Sequence, residues 1–260
     1  MAFGATANRK NLESLRPWIA FISAIVGIGI ITVLYISLSD SWAHILLDSG
    51  NTFPFSVQNG MWIAFAIGLG EVGVRIASAN AEMKQLREDY LPEDPRVVLQ
   101  AQDLPSIYKK LKASPYLNRC FLPRLIDRCV LQFEASMSSD QSASLLNTSM
   151  EMFLHEVDLR YNMIRYICWV IPSLGFIGTV VGIGRALEYA GAPENINKTD
   201  LLTTVTHRLA VSFNGTFLAL VMASILVLLQ NVIQSREEHA LNQAGQYCLD
   251  NLINRLYVAK

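Results

Sequence analysis

Residues 164–187 read IRYICWVIPSLGFIGTVVGIGRAL, and their only charges, Arg165 and Arg185, stand near the two ends. A helix needs about 20 apolar residues in a row to cross ~30 Å of hydrocarbon. In lipid every backbone N–H and C=O must also find its partner inside its own segment. The stretch therefore reads as a transmembrane helix, and three others join it. Trp18–Leu38 holds no charge, and Phe55–Val74 holds one acid, Glu71. Leu209–Val232 carries only Ser212, Asn214, Thr216, Ser224, Gln230 and Asn231 as polar groups. The expected fold class is an all-α integral membrane protein with four transmembrane helices.

Composition points the same way. Apolar residues make up 52% of the 260 positions and charged residues 17%, with a mean hydropathy of +0.29; a soluble domain carries about 25% charged residues. A net charge of −1 offers no basic surface for nucleic acid, so no direct nucleic-acid binding is expected. Cys120, Cys129, Cys168 and Cys248 show no CxxC spacing and read as reduced thiols rather than disulfides or metal ligands. His44, His155, His207 and His239 are scattered without ligand spacing, so no metal site is expected. The apolar N-terminal stretch has no small-residue cleavage site and outruns a signal-peptide core, which makes it a retained anchor.

Basic residues orient the spans. Arg9, Lys10 and Arg16 precede the first, whereas the 39–55 connection has no Lys or Arg and two acids, Asp40 and Asp48. The segment from Arg75 to Arg165 carries twelve basic residues, both ends included, and the 188–207 connection has one, Lys198. Both termini and the long middle segment are thus expected in the cytoplasm. The implied division is a cytoplasmic N-terminus at 1–17, a transmembrane hairpin at 18–75 and a cytoplasmic helical segment at 76–163. A core transmembrane hairpin at 164–232 and a cytoplasmic helical tail at 233–260 complete it.

Leu146, Met150, Phe153, Val157, Tyr161, Ile164 and Cys168 recur at helical spacing, which predicts one helix running from near Ser142–Leu146 into span three. Leu241, Cys248, Leu252 and Leu256 extend span four in the same way. Helices three and four should therefore continue into the cytoplasm. Pro92, Pro95, Pro105, Pro115 and Pro123 should divide the rest into short helices. Glu156, Asp158 and Arg160 read as a solvated face or a contact to a cytoplasmic target. Glu71 reads as an i,i+4 partner of Arg75, or as a group for ion exit or subunit contact. Trp18, Trp42, Trp62 and Trp169 read as interface anchors near span ends.

Within span three, Pro172, Gly175, Thr179, Gly182 and Ala186 fall within about 60° of one helical line. Ser212, Thr216, Ala219 and Ala223 form a matching strip on span four. Such strips let membrane helices pack closely. Two mid-membrane threonines could also offer hydroxyls to a passing proton or hydrated cation. A serine or threonine enzyme is disfavoured, because no histidine base lies inside any span. A non-conducting tetraspan scaffold is the alternative to an ion path.

The stretch IPSLGFIGTVVGIGRAL (171–187), followed by FNGTFLALVMASILVLLQN (213–231), resembles the third and fourth helices of the MotA/TolQ/ExbB proton-channel family. The preceding LHEVDLRYNMIRYICWVIP (154–172) fits as well. The pattern is a proline, then L-G-x-x-G-T-V-x-G, then a helix with threonine, small residues and a terminal asparagine. The resemblance covers roughly 145–232, and GxxxG alone (Gly178, Gly182) would be weak. No proline follows Thr216, where relatives often have one.

The resemblance implies a stator-type pore subunit of an ion-driven motor in the bacterial inner membrane, MotA-like or ZorA-like in its four spans. It implies a homopentamer around a dimer of a single-span MotB/ExbD/TolR-like partner, which carries the essential aspartate. Proton or sodium flow would be turned into rotation or force, with no cofactor. Thr179, Thr216 and Ser212 would line the ion path. Pro172 would couple ion passage to shape change, with Gly175, Gly178, Gly182, Ala219 and Ala223 as packing positions. The absence of titratable groups inside spans one, three and four suits a wall that borrows its carboxylate.

Overall fold

The computed structural model describes residues 3–37, 47, 56–94, 96–196 and 198–257, with residues 3–16 described by backbone alone. Among the described residues the regular secondary structure is helical apart from one isolated bridge. The long helices are α1 (Phe3–Ser37), α2 (Val57–Gln85), α5 (Ser139–Arg160), α6 (Asn162–Gly191) and α7 (Leu201–Asn251). Between α2 and α5 lie α3 (Leu104–Ala113) and α4 (Phe121–Ser136). Among the described residues, four helices hold windows long and apolar enough to cross a membrane. The protein is an all-α, multi-pass membrane protein.

Helix starts and stops follow local chemistry. The second span was expected from Phe55, which lies outside the described residues. The helix begins at Val57 because Ser56 caps it, its Oγ accepting the Asn59 N–H at 3.1 Å. Pro105 and Pro123 sit in the first turns of α3 and α4, where a missing N–H costs nothing. These two prolines open helices rather than break them. Pro95 lies outside the described residues.

Span three departs from the expected uninterrupted helix in two ways. The helix starts earlier than Ser142, at Ser139, because the Ser138 hydroxyl accepts the Gln141 N–H. At Tyr161 the backbone N–H reaches Asp158 O at 3.1 Å, an i−3 bond that tightens one turn before α6. The apolar stripe cannot reveal this, since such a turn shifts side chains by only a fraction of the helical period.

The chain divides into two compact units. One comprises Gly73–Tyr161 and Asn231–Lys260 with the first fifteen residues. Its core joins α4, α5 and the far end of α7. Phe121 and Phe153 stack with centroids 5.4 Å apart, and Arg124 and Arg128 lie over the Phe153 ring at 4.1 and 5.0 Å. Cys120, Cys129 and Cys248 are buried free thiols, and burial pushes Cys120 and Cys129 up to about 12. Past α7, Leu99 N–H donates to Arg255 O at 2.8 Å, and the Arg255 guanidinium donates to Pro92 O at 2.6 Å. The loop ahead of α3 is thereby tied to the end of α7.

The expectation of a solvated face at Glu156 and Arg160 is overturned. Glu156 pairs with Arg124 at 3.2 Å and Arg160 at 2.6 Å, and all three side chains are largely buried. The pattern misled because α4 lies over this face of α5, and two arginines neutralise the carboxylate there. Asp158 is half-buried.

The second unit comprises Arg16–Val72 and Asn162–Gln230, and here small residues replace aromatic ones. A Cβ on Gly27 would meet Ala66 Cβ at 2.9 Å, and one on Gly68 would meet Leu226 Cδ1 at 2.9 Å. Phe21, Ile25 and Val33 of α1 and Phe176 and Val180 of α6 stand exposed, a load no water-facing surface carries in such density. Trp18 and Trp169 are exposed near span ends, and Trp62 packs edge-on to Phe65 at 6.2 Å. Trp42, His44, Asp40 and Asp48 lie outside the described residues.

Replacing Phe153 by alanine should destabilise the protein by about 3–5 kcal/mol, the usual cost of emptying a buried aromatic site. Thermal unfolding of the detergent-solubilised protein followed by circular dichroism would check this; an unchanged midpoint contradicts the core described above.

Candidate functional site

The site is built where α6 and α7 come closest. Gly175 has no Cβ, and one built there would lie 2.5 Å from Ala219 Cβ and 3.3 Å from Thr216 Cα. Gly182 faces Ser212 in equally tight contact. The two small-residue strips read from the sequence therefore meet along Gly175, Thr179 and Gly182 on α6 and Ser212, Thr216 and Ala219 on α7. Van der Waals packing drives this approach, because lipid gives no hydrophobic reward for helix association. Gly178 lies off this strip, where an added Cβ would meet Val57 Cγ1 of α2 at 3.5 Å. Ala186 and Ala223 are buried, and Pro172 is half-buried.

Close approach brings two hydroxyls and two backbone carbonyls, Gly175 O and Ser212 O, into one network. Thr179 Oγ1 donates to Gly175 O at 3.1 Å or to Ser212 O at 3.1 Å, and it shares a short hydrogen bond with Thr216 Oγ1. Thr216 Oγ1 reaches Gly175 O at 3.0 Å. Ser212 Oγ donates back to Arg208 O at 2.8 Å. Each hydroxyl has one proton and two lone pairs, so alternative donor arrangements share the same oxygens. Thr179 is 8% exposed, while Thr216 is partly exposed and brings the network to the outside of the helix pair.

Proline 172 acts on α6 from one turn below. It has no N–H, so the Cys168 carbonyl loses its helical partner, and the proline ring crowds that carbonyl. A helix interrupted in this way has a defined place to bend. Nearby, Gln230 is buried, with its Oε1 4.0 Å from Cys168 Sγ.

One feature of the site has no counterpart among the residues singled out in the sequence. A cavity of about 550 Å³ opens beside the hydroxyl network, bounded by Gln58, Gly182, Arg185, Glu188, Arg208 and Ser212. Gln58 is buried, and its Oε1 has no hydrogen-bond partner among the described residues. Arg208 lies over the Tyr189 ring at 4.2 Å. Ser212 therefore links the hydroxyls to a cavity with charged groups in its lining. The available signal was an amide in the first turn of an apolar span, where an unpaired polar group costs about 1–3 kcal/mol.

Among the described residues no group of three His, Cys, Asp or Glu could hold a metal ion. Residues 117–245 match the MotA/TolQ/ExbB proton channel family. No curated protein and no solved structure matches the chain.

Gly175→Val should force the two helices apart and lower stability by roughly 1–3 kcal/mol or more. Gly184→Ala, where an added Cβ meets nothing within 4 Å, should stay within about 0.5 kcal/mol of the parent. Thermal unfolding of both variants in one detergent compares them; equal midpoints contradict the close approach.

Proposed function

We propose that the chain, whose residues 117–245 match the MotA/TolQ/ExbB proton channel family, is a member of that family and the wall-forming subunit of an ion-driven motor. In this reading five copies surround a dimer of a single-span MotB/ExbD/TolR-like partner in the bacterial inner membrane. Both termini and the unit built from α3, α4 and α5 lie in the cytoplasm, as the distribution of Lys and Arg supports. The partner supplies the membrane carboxylate, and passage of a proton or sodium ion is converted into rotation or force.

The observation that carries the reading is the pair of Thr179 and Thr216 hydroxyls bonded to each other between two apolar helices, with the Ser212 carbonyl accepting from Thr179. Hydroxyls that can exchange donor and acceptor roles can pass a proton along, and their lone pairs can replace part of a cation's water shell. The apolar stretches 164–187 and 209–232 of these two helices hold no carboxylate of their own, so the titrating group has to come from a partner. Pro172 gives α6 the bend through which ion passage would become movement. The cavity beside Ser212 offers water access to the network.

Thr179→Ala combined with Thr216→Ala should leave membrane insertion and oligomer size unchanged and abolish ion-dependent work. Ion flux into vesicles containing the protein with its partner measures the second effect, and size measurement of the purified complex measures the first. Thr179→Ser with Thr216→Ser, which keeps both hydroxyls, should restore flux. Normal flux through the double alanine variant would favour a non-conducting scaffold. A purified monomer without a single-span partner would defeat the assembly.

A further inference from the structure

The cavity of about 550 Å³ beside Ser212 lies wholly within the unit of α6 and the first part of α7. Its size is that of a small-molecule site, about 300–1,000 Å³. Glycine makes the room. Gly178 and Gly215 line it, and an added Cβ would meet only Val57 at 3.5 Å from the first and Gln58 Nε2 at 3.4 Å from the second. Arg185 stands near the end of the apolar stretch 164–187, and Arg208 precedes the stretch 209–232. The cavity is therefore at the depth of lipid headgroups. Asn195 pins the connection between the two helices: its Nδ2 donates to Tyr189 O at 2.9 Å, and its Oδ1 accepts from Lys198 at 2.6 Å.

Four charged side chains share this lining, Arg185 and Arg208 with Glu188 and Glu194. Among the described residues none of the four makes an ion pair or a side-chain hydrogen bond, and Arg208 only stacks on the Tyr189 ring at 4.2 Å. Charges of both signs that line one cavity without pairing are left for water or for an occupant to answer. Gln58 narrows the choice. It is 5% exposed, it lines the same cavity, and its Oε1 has no hydrogen-bond partner among the described residues. A buried acceptor left unmet is costly, and an occupant with N–H donors relieves it.

We propose that this cavity binds the zwitterionic headgroup of a phosphatidylethanolamine, its phosphate on Arg185 and Arg208 and its ammonium on Glu188 and Glu194. Guanidinium matches the geometry of a phosphate, and a primary ammonium brings three N–H donors. The phosphate has no donor for the Gln58 oxygen, whereas the ammonium has. A membrane lipid is chosen over a soluble aminophosphate because of the rim. Val57 and Val181 line the same cavity and are 37% and 43% exposed, which gives the acyl chains an apolar path away from the headgroup.

The same lining disfavours the other common headgroups. Phosphatidylglycerol would set a net anion against Glu188 and Glu194 with nothing to answer them. Phosphatidylcholine carries no N–H, and its trimethylammonium is held best by open aromatic faces. Tyr189 is the aromatic ring of this lining, and it is already taken by Arg208 at 4.2 Å and Lys198 at 5.7 Å. The binding itself does not rest on the motor reading. On that reading the lipid stands where water would enter toward Ser212 and Thr179.

Native mass spectrometry of the detergent-purified full chain, titrated with one lipid at a time, tests the assignment. Dioleoyl phosphatidylethanolamine should fill one saturable site per chain. It should bind roughly three- to fivefold tighter than phosphatidylglycerol or phosphatidylcholine with the same acyl chains, the scale of a partly exposed ion pair. Glu188→Gln combined with Glu194→Gln removes both acids and keeps both cations, so phosphatidylglycerol should become the tightest of the three. Arg185→Gln should weaken all three by a similar factor. These three side chains are exposed, so the fold tolerates the changes. Soluble phosphoethanolamine should displace the lipid only at far higher concentration. Equal binding of the three lipids by the parent, or an unchanged order in the double variant, would overturn the proposal. Displacement by phosphoethanolamine at lipid-like concentration would overturn the lipid assignment. No readout depends on ion flux, so the result stands apart from the fate of the motor reading.

Discussion

The backbone contact at Gly175 is the constraint on which the rest of the membrane unit depends. With Ala219 Cβ only 2.5 Å from where a Gly175 Cβ would stand, α6 and α7 can approach only because one of them carries no side chain there. In lipid that proximity has to be earned by dispersion and hydrogen bonding, since hydrocarbon tails are as apolar as the helices themselves. Both contributions are present. Small strips mesh, and Thr179 and Thr216 place hydroxyls where they satisfy each other and share the Gly175 carbonyl. Neither threonine would find a partner across the pair if the helices stood one side chain farther apart.

The two units solve the same burial problem with different chemistry. In the unit of α6 and the first part of α7, glycine and alanine give contact and the exposed residues are Phe, Val, Ile and Leu, as suits a solvent that is itself apolar. The unit of α4 and α5 hides Phe121 and Phe153 beneath arginines, the usual arrangement where water waits outside. Both α2 and α7 contribute to each unit, because their helical hydrogen bonding runs on past the apolar windows. Helix continuity is a local property, whereas apolarity is set by what each turn faces.

What could be read from the sequence follows that distinction. Hydropathy located the four spans, since a helix in lipid leaves no freedom about backbone pairing. The spacing of Gly175, Thr179 and Gly182 foretold a packing strip, because a helical line is fixed by period alone. Features that depend on a neighbour were hidden. Glu156 and Arg160 look solvated on their own helix and are not, because α4 covers them. Gln58 and its cavity arise from three segments distant in the chain. The tightened turn at Tyr161 is too small a displacement to disturb the apolar stripe, and Gly178 could be named as a packing position without its Val57 neighbour.

The placement of carboxyl groups connects the two halves of the picture. An ionised side chain at the centre of a lipid-facing helix costs several kcal/mol unless it has a partner or water, and α6 and α7 carry none there. Glu82 and Glu237 are buried where Arg75, Arg124 and Arg160 lie close and where a backbone N–H is available to Glu82. Charge is thus admitted where protein groups can answer it and kept out where lipid alone would surround it. A hydroxyl network without a resident acid can hand on a proton yet cannot hold one. On the proposed reading this is why the channel wall is incomplete without a second protein, and why the titrating step belongs to the partner rather than to this chain.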